Sequence, residues 1–176
     1  MLQNMGRRTN SLRPHSSRSE ADYMQGAAAT VRLFRPLTVT VFASYRPIDA
    51  TLNKDGTIST IITSGYHRTF SELRKKYNSH QTDVGAIIRY QQGGFHLGTN
   101  MVYTQLDRQL HPNTKQLYRR YYAQGTHFFN ASVDYGYIHH RLSLNGETAV
   151  NRDGALASIH SLSFQPSGRF GIMAFQ

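Results

Sequence analysis

The chain has 176 residues, no cysteine, no tryptophan and a formal net charge of +10 at pH 7. The lack of cysteine excludes a disulfide framework and a thiolate metal site. No apolar run approaches the roughly 18 residues of a membrane-spanning helix, so any membrane span in this sequence has to be built from strands.

The first part of the chain, residues 1–20, is rich in serine and arginine and shows no apolar periodicity. This composition predicts a disordered basic N-terminal segment. The segment lacks the apolar stretch of about 7–15 residues that a signal peptide carries. An outer-membrane protein needs such a signal, so either this chain is a fragment of a longer protein or a barrel interpretation of it is wrong. We expect residues 21–176 to form one β-barrel segment that is truncated at its C-terminus.

From residue 23 onward, apolar and polar side chains alternate with a period of two, which is typical of β-strands with one apolar face. The clearest case is the segment 129–137, where Phe129, Val133 and Tyr137 share the apolar face and Asp134 lies on the polar face. The same pattern predicts eight strands, at 23–34, 37–45, 81–91, 95–104, 127–137, 141–150, 155–165 and from 169 onward.

The predicted connections alternate between tight and long. Tight turns fall at 35–36, 92–94, 138–140 and 166–168, and longer connections at 46–79, 105–125 and 151–154. Within the first long connection, residues 57–63 form a β-prone run, and Thr69 followed by Glu72 is a capping box that predicts a short helix.

This alternation of turn length is typical of outer-membrane barrels. The sequence therefore predicts an all-β fold: an antiparallel up-and-down transmembrane β-barrel, or an incomplete, open barrel sheet, of about eight strands with long loops on one side. A soluble β-protein, whose strands also alternate, is the alternative.

Three segments carry a resemblance to a known family: residues 65–73 (GYHRTFSEL), 105–112 (QLDRQLHP) and 146–149 (GETA). They resemble the β-barrel region of envelope proteins that carry a helix-hairpin-helix domain of the competence DNA-receptor type near the N-terminus. The resemblance covers residues 23–176 and implies an interior fragment of an outer-membrane protein of a Gram-negative cell. Phe70 stands where the family pattern has proline. The helix-hairpin-helix segment, on which the family's link to DNA rests, lies outside this sequence.

His67, Arg68 and Glu72 form the first candidate site, a lumen or loop cluster. An imidazole, a guanidinium and a carboxylate within six residues can build a fixed network of ion pairs and hydrogen bonds. Such a network would either bind a polyanion or fasten a loop helix to the barrel wall.

The second candidate site is a lumenal polar ladder on the polar faces of the hairpin 127–150. Cross-strand neighbours on one face of a sheet interact directly, so opposite charges there would pair. The residues of this ladder are Asp134, Arg141, Asn145 and Glu147. The adjacent His139 and His140 do not predict a metal site, because such sites need three or four converging ligands and neighbouring strand residues point apart.

The third candidate is an aromatic and basic interface in the second long connection. Its residues are Tyr118, Arg119, Arg120, Tyr121 and Tyr122. Such a cluster serves either as a girdle with basic anchors at the lipid head groups or as a stacking platform for nucleic-acid bases.

No catalytic motif is found: the sequence has no Gly-x-Ser-x-Gly elbow, no phosphate-binding glycine-rich loop and no His-Glu-x-x-His. We therefore predict a non-enzymatic protein without a cofactor, whose partners are the lipid bilayer and its anionic head groups. A channel or a role in uptake of DNA or another macromolecule is the functional hypothesis. The alternative is a soluble basic β-protein that binds nucleic acid or another polyanion.

Overall fold

A computed structural model describes residues 23–167 and 170–176. The predicted segment 1–20 and positions 168 and 169 of the predicted last turn and strand lie outside these residues. The described chain is all-β, as predicted. Its strands are β1 (Gly26–Phe34), β2 (Leu37–Leu52), β3 (Ile58–Ile62), β4 (Ser79–Gln92), β5 (Phe95–Leu110), β6 (Gly125–His139), β7 (Leu142–Asn151), β8 (Leu156–Ser167) and β9 (Phe170–Phe175).

Eight of these strands form one antiparallel sheet in the order β1-β2-β4-β5-β6-β7-β8-β9. The long connections lie at one end, which we call the loop end, and the tight turns at the other, which we call the turn end. The loop end holds β3, a short helix α1 (Phe70–Leu73) and a 3-10 helix at Leu117–Arg119. No helix of the described chain is long and apolar enough to cross a membrane.

The sheet closes on itself at the loop end through β3. This strand pairs antiparallel with the last residues of β2, from Asp49 opposite Ile62 onward, and makes one parallel bridge between Ile58 and Leu110 of β5. Since β4 pairs with both β2 and β5, the four strands β2, β3, β5 and β4 form a ring.

A small apolar core fills this ring. Ile58 and Ala50 are fully buried, and Ile48 and Leu106 are 5% and 3% exposed. Partly buried apolar side chains surround them: Leu52, Ile61, Leu110 and Phe128. The loop end thus has the water-excluding centre that a closed barrel requires.

The two faces of the main sheet are inverted relative to a water-soluble protein. We call the inner face the side that carries Thr40, Phe42 and Asp83, which are only 7%, 8% and 2% exposed. The opposite, outer face carries apolar side chains such as Val41 and Val84, which are 49% and 48% exposed. From β2 to β7, most polar residues of the alternating pattern therefore lie on the inner face and most apolar ones on the outer face, with Phe42 and Ile87 as buried apolar exceptions on the inner face.

Several predicted boundaries were wrong at the loop end. β2 continues to Leu52 and β5 to Leu110, where the sequence predicted loops from residues 46 and 105. Both extensions exist because they pair with β3 to close the ring, so their apolar side chains Ile48, Ala50 and Leu106 face the core. The β-prone run 57–63 contains β3, which raises the number of strands in the described residues to nine, and β1 begins at Gly26 instead of 23.

The predicted capping box is confirmed. The Thr69 hydroxyl accepts the Glu72 backbone N–H at 3.3 Å, and the Glu72 carboxylate accepts the Thr69 backbone N–H at 3.0 Å. Because each side chain satisfies a donor that a helix start leaves unpaired, a helix of four residues is stabilised in an otherwise irregular connection.

Candidate functional site

Two rows of aromatic side chains border the outer face. The register places Phe95 opposite Tyr137 near the turn end and Tyr103 opposite Phe129 near the loop end. The two rows are eight residues apart along β5 and β6, or about 27 Å along the strand at 3.4 Å per residue. Tyr90 extends the first row on β4, and Tyr45 belongs to the second on β2.

Between the aromatic rows, the outer face is an apolar band. Its most exposed large side chains have 40–49% of their surface accessible. The members of this band with large side chains are Val41, Val84, Ile88, Leu97, Met101 and Val133. An apolar surface of this extent marks a site of contact with lipid or with another protein.

The inner face is held together by buried polar groups. The Asp83 carboxylate accepts the Thr104 hydroxyl at 2.6 Å and the Gln81 side-chain amide at 2.9 Å. On the neighbouring strands, the Thr30 and Thr40 hydroxyls lie 3.0 Å apart. A buried carboxylate is tolerated only when its oxygens are hydrogen-bonded, so these contacts fix the register of β4 against β5.

The predicted lumenal ladder is only partly assembled, and its charges do not pair as expected. Asp134 lies directly opposite Glu147, an acid opposite an acid, and Asn145 lies opposite Gly136. Arg141 belongs to the turn before β7, where its guanidinium donates to the Pro166 carbonyl. The prediction of opposite-charge pairs was wrong because Arg141 lies outside the strand register.

Asp134 instead interacts with the preceding strand, β5. Its carboxylate accepts the Asn100 side-chain amide at 3.2 Å and lies 3.8 Å from the His96 imidazole. Gly98 makes this approach feasible, since a Cβ atom at that position would lie 2.3 Å from the Asp134 carboxylate oxygen. No sequence pattern predicts this contact, because it depends on the register of β5 against β6.

The predicted cluster of His67, Arg68 and Glu72 separates into two arrangements. His67 Nε2 lies 2.5 Å from the carboxylate of Asp49, which is 5% exposed and also accepts the Tyr77 backbone N–H at 2.9 Å. The His67 ring meets the Tyr77 ring edge-on. These contacts fasten the connection around α1 to the end of β2. Asp49 was missed because the sequence assigned it to a loop.

Arg68 and Glu72 face away from this contact and organise the loop itself. The Arg68 guanidinium lies 4.3 Å from the centre of the Tyr66 ring, and its backbone N–H donates to the Glu72 carboxylate at 2.7 Å. The backbone N–H groups of Arg68 and Thr69 lower the pKa of Glu72 below its ordinary value of 4.5, because they stabilise the charged form.

The predicted aromatic and basic interface lies in the second long connection, beyond the outer-face aromatic rows. Arg119 lies 5.3 Å from the centre of the Tyr118 ring, and Arg120 lies 6.0 Å from that of the 90% exposed Tyr121. Lys76 and Tyr77 form a similar pair at 5.0 Å in the first connection. The loop end therefore exposes paired cations and aromatic rings to solvent.

His139 and His140 are closer together than expected. Their ring centres are 4.3 Å apart, because His140 has a φ of +47° in the turn and its side chain does not point away from its neighbour. The described residues contain no group of three or more side chains that could hold a metal ion.

Comparisons of the chain with protein-family models, with curated proteins and with solved structures found no match. The resemblance to the barrel region of helix-hairpin-helix envelope proteins therefore stays a prediction.

The capping interaction of Glu72 makes a testable prediction about pH. Because the folded-state pKa of Glu72 is lowered, its stabilisation of α1 is present above pH 4.5 and is lost as the pH falls through the folded-state pKa. In an NMR titration, we expect the Glu72 carboxyl to titrate below pH 4.5, with the Arg68 and Thr69 amide signals following the same curve. Thr69→Ala should move that midpoint toward the ordinary value. A midpoint at or above 4.5 in the unchanged protein would contradict the cap.

Proposed function

We propose that this chain is a non-enzymatic segment of an outer-membrane β-barrel. The observation that carries the proposal is the inverted burial of the sheet: Ser44 and Asp83 are 4% and 2% exposed, while Val41 and Val84 are 49% and 48% exposed. Transmembrane strands place apolar side chains toward lipid and polar ones toward the lumen. In water, this arrangement would leave the apolar band hydrated at a cost of about 25 cal/mol per Å².

The dimensions of the band also support a membrane. Its aromatic rows lie about 27 Å apart along strands that rise 3.4 Å per residue. A strand tilt near 40° reduces this separation to roughly 21 Å, against an apolar band of about 25 Å in outer-membrane barrels. Tyrosine and phenylalanine at the two borders, such as Tyr103 and Tyr137, are typical of a membrane interface. The antiparallel hydrogen bonds satisfy the backbone polar groups of the strands that have a neighbour on each side, as lipid requires, and β1 and β9 are the edge strands of the described sheet.

The inner face supports a role as the wall of a water-filled passage. Its carboxylates, amides and hydroxyls are arranged around Asp83 and Asp134 and bond to one another across strands. Within this proposal, the segment contributes to a channel or to an uptake machine for DNA or another macromolecule.

Two single tryptophans test the orientation of the faces. Because the chain has no tryptophan of its own, each variant carries one fluorescent reporter. Phe129 and Asn130 are neighbours on β6 at the same depth but on opposite faces. In vesicles with brominated acyl chains, we expect Phe129→Trp to be quenched and blue-shifted and Asn130→Trp to be neither. If both variants are quenched equally, or if neither is quenched, the proposal is wrong.

An arginine at the centre of the band tests the same face by stability. Val133 lies midway between Phe129 and Tyr137 on β6. Val133→Arg should lower the free energy of unfolding in vesicles by about 2–4 kcal/mol, the cost at a bilayer midplane. The control Leu117→Arg, at an 86% exposed loop position, should change it by less than about 0.5 kcal/mol. A soluble β-protein would tolerate both changes, since Val133 is 45% exposed to solvent.

A second candidate function is polyanion binding at the loop end. It is favoured by the pairs of cation and ring, the exposed Arg120 with Tyr121 and the partly exposed Arg119 with Tyr118. Guanidinium groups neutralise phosphates, while tyrosine rings stack on bases without reading their sequence.

A single-stranded oligonucleotide tests this second candidate. Removing two phosphate contacts in the double variant Arg119→Gln/Arg120→Gln should reduce the slope of log affinity against log salt by roughly 1.4. Tyr121→Ala should weaken binding by about 1–3 kcal/mol if one base stacks there. Lys54→Gln removes a charge from another loop and serves as the control. If all variants bind with the same slope and affinity as the unchanged protein, these loops are not the binding surface.

A further inference from the structure

Three arginines converge at the turn end of the inner face. In the register of the sheet, Arg32 of β1 lies opposite Thr38 of β2, and Thr38 lies opposite Arg89 of β4. Arg35, in the tight turn between β1 and β2, adds a third guanidinium. Together they line an open recess of about 340 Å³.

The rest of the recess is neutral and is built by two tight turns. Pro36, Gln91 and Gly93 complete its lining, and the Gln91 backbone N–H donates to the Pro36 carbonyl at 2.7 Å, which holds the β1–β2 turn beside the start of the β4–β5 turn. Among the described residues, the lining contains no carboxylate. The like charges of Arg32 and Arg35 repel each other, and an anion between them would relieve that repulsion.

Directly opposed residues of neighbouring strands form a row across the inner face, which begins with Arg32, Thr38 and Arg89. Farther along this row, the charge of the side chains changes from positive to negative. Arg89 lies opposite Gly98, Gly98 opposite Asp134, and Asp134 opposite Glu147. Basic side chains therefore occupy the β1–β4 half of the row and acidic ones the β6–β7 half, with a glycine between them. An anion is confined to the arginine half, because the other half repels it.

We propose that this recess is a binding site for a phosphate group. The planar guanidinium presents parallel N–H donors that match two phosphate oxygens at once, and the recess offers the exposed guanidinium groups of Arg32 on β1 and Arg35 in the turn. The Thr38 hydroxyl, at the centre of the row between Arg32 and Arg89, is a further donor. The phosphate belongs either to a free anionic solute on the inner face or to a lipid head group at the turn end. The proposal does not depend on the membrane function, because the recess is formed by the sheet itself.

The test uses the full chain, labelled with ¹⁵N and folded in zwitterionic detergent micelles or phosphatidylcholine nanodiscs. Arginine side-chain Nε–H signals report directly on the guanidinium groups. In the first arm, inorganic pyrophosphate is titrated into the sample. In the second arm, phosphatidylglycerol replaces part of the phosphatidylcholine, with no pyrophosphate added. Arg32→Gln and Arg35→Gln assign two of the signals and remove one donor group each. Arg35 is an exposed turn residue, so its variant keeps the sheet intact.

We expect pyrophosphate to shift the Arg32 and Arg35 signals together, and each glutamine variant to weaken its affinity at least fivefold. The pyrophosphate affinity of Arg32→Lys should lie between those of the unchanged protein and Arg32→Gln. Lysine keeps the charge but cannot donate two parallel N–H groups to one phosphate. Arg74→Gln, which removes the same charge at the loop end, should bind within twofold of the unchanged protein. Shifts in the phosphatidylglycerol arm alone would identify a lipid head group as the ligand. No shift in either arm, or equal weakening by Arg74→Gln, would overturn the proposal.

Discussion

In an antiparallel sheet, the pleat assigns neighbouring side chains to opposite faces, so burying one residue of a strand determines the surroundings of all the others. In β4, the buried Asp83 is followed by the exposed Val84, and the same order recurs in β2 with Phe42 and Ala43. The hydrogen bonds from Thr104 and Gln81 to Asp83 tie that carboxylate to its neighbours. A slip of one residue would move Asp83 to the apolar outer face and leave its charge without donors.

At the loop end, the buried side chains are mainly apolar, unlike those of the inner face in the rest of the sheet. There, the ring of β2, β3, β5 and β4 surrounds an ordinary apolar core centred on Ile58 and Leu106. The ring also positions the polar contacts that hold the loops: Asp49, at the end of β2, receives His67 and the Tyr77 backbone from the connection around α1. The basic and aromatic loop surface is therefore carried by a closed, well-packed base and not by the edge of an open sheet.

The alternation of apolar and polar side chains was sufficient to predict the strands of the main sheet. At 81–91, 95–104 and 127–137 it can be recognised within each segment, without reference to the rest of the chain. The same pattern did not predict the ends of β2 and β5, whose strand pairing depends on residues far away in the sequence. Arg46-Pro47 and Asp107-Arg108 interrupt the alternation and look like loop sequence, yet β2 and β5 continue through them because β3 covers their ends. The periodicity also leaves open which face is buried. The approach of Asp134 to Gly98 and the three-arginine recess depend on register, which turn lengths alone do not determine.

The parallel bridge between Ile58 and Leu110 implies an order of assembly. Every fully buried or nearly buried member of the apolar core lies between residues 48 and 106, so the ring can close before β6 is in place. Once closed, it offers the free edge of β5 as a template, to which we expect β6, β7, β8 and β9 to add one after another, each pairing with the strand before it in the sequence. The slow step of folding is then the long-range closure by β3, and the remaining sheet grows by fast, short-range zipping.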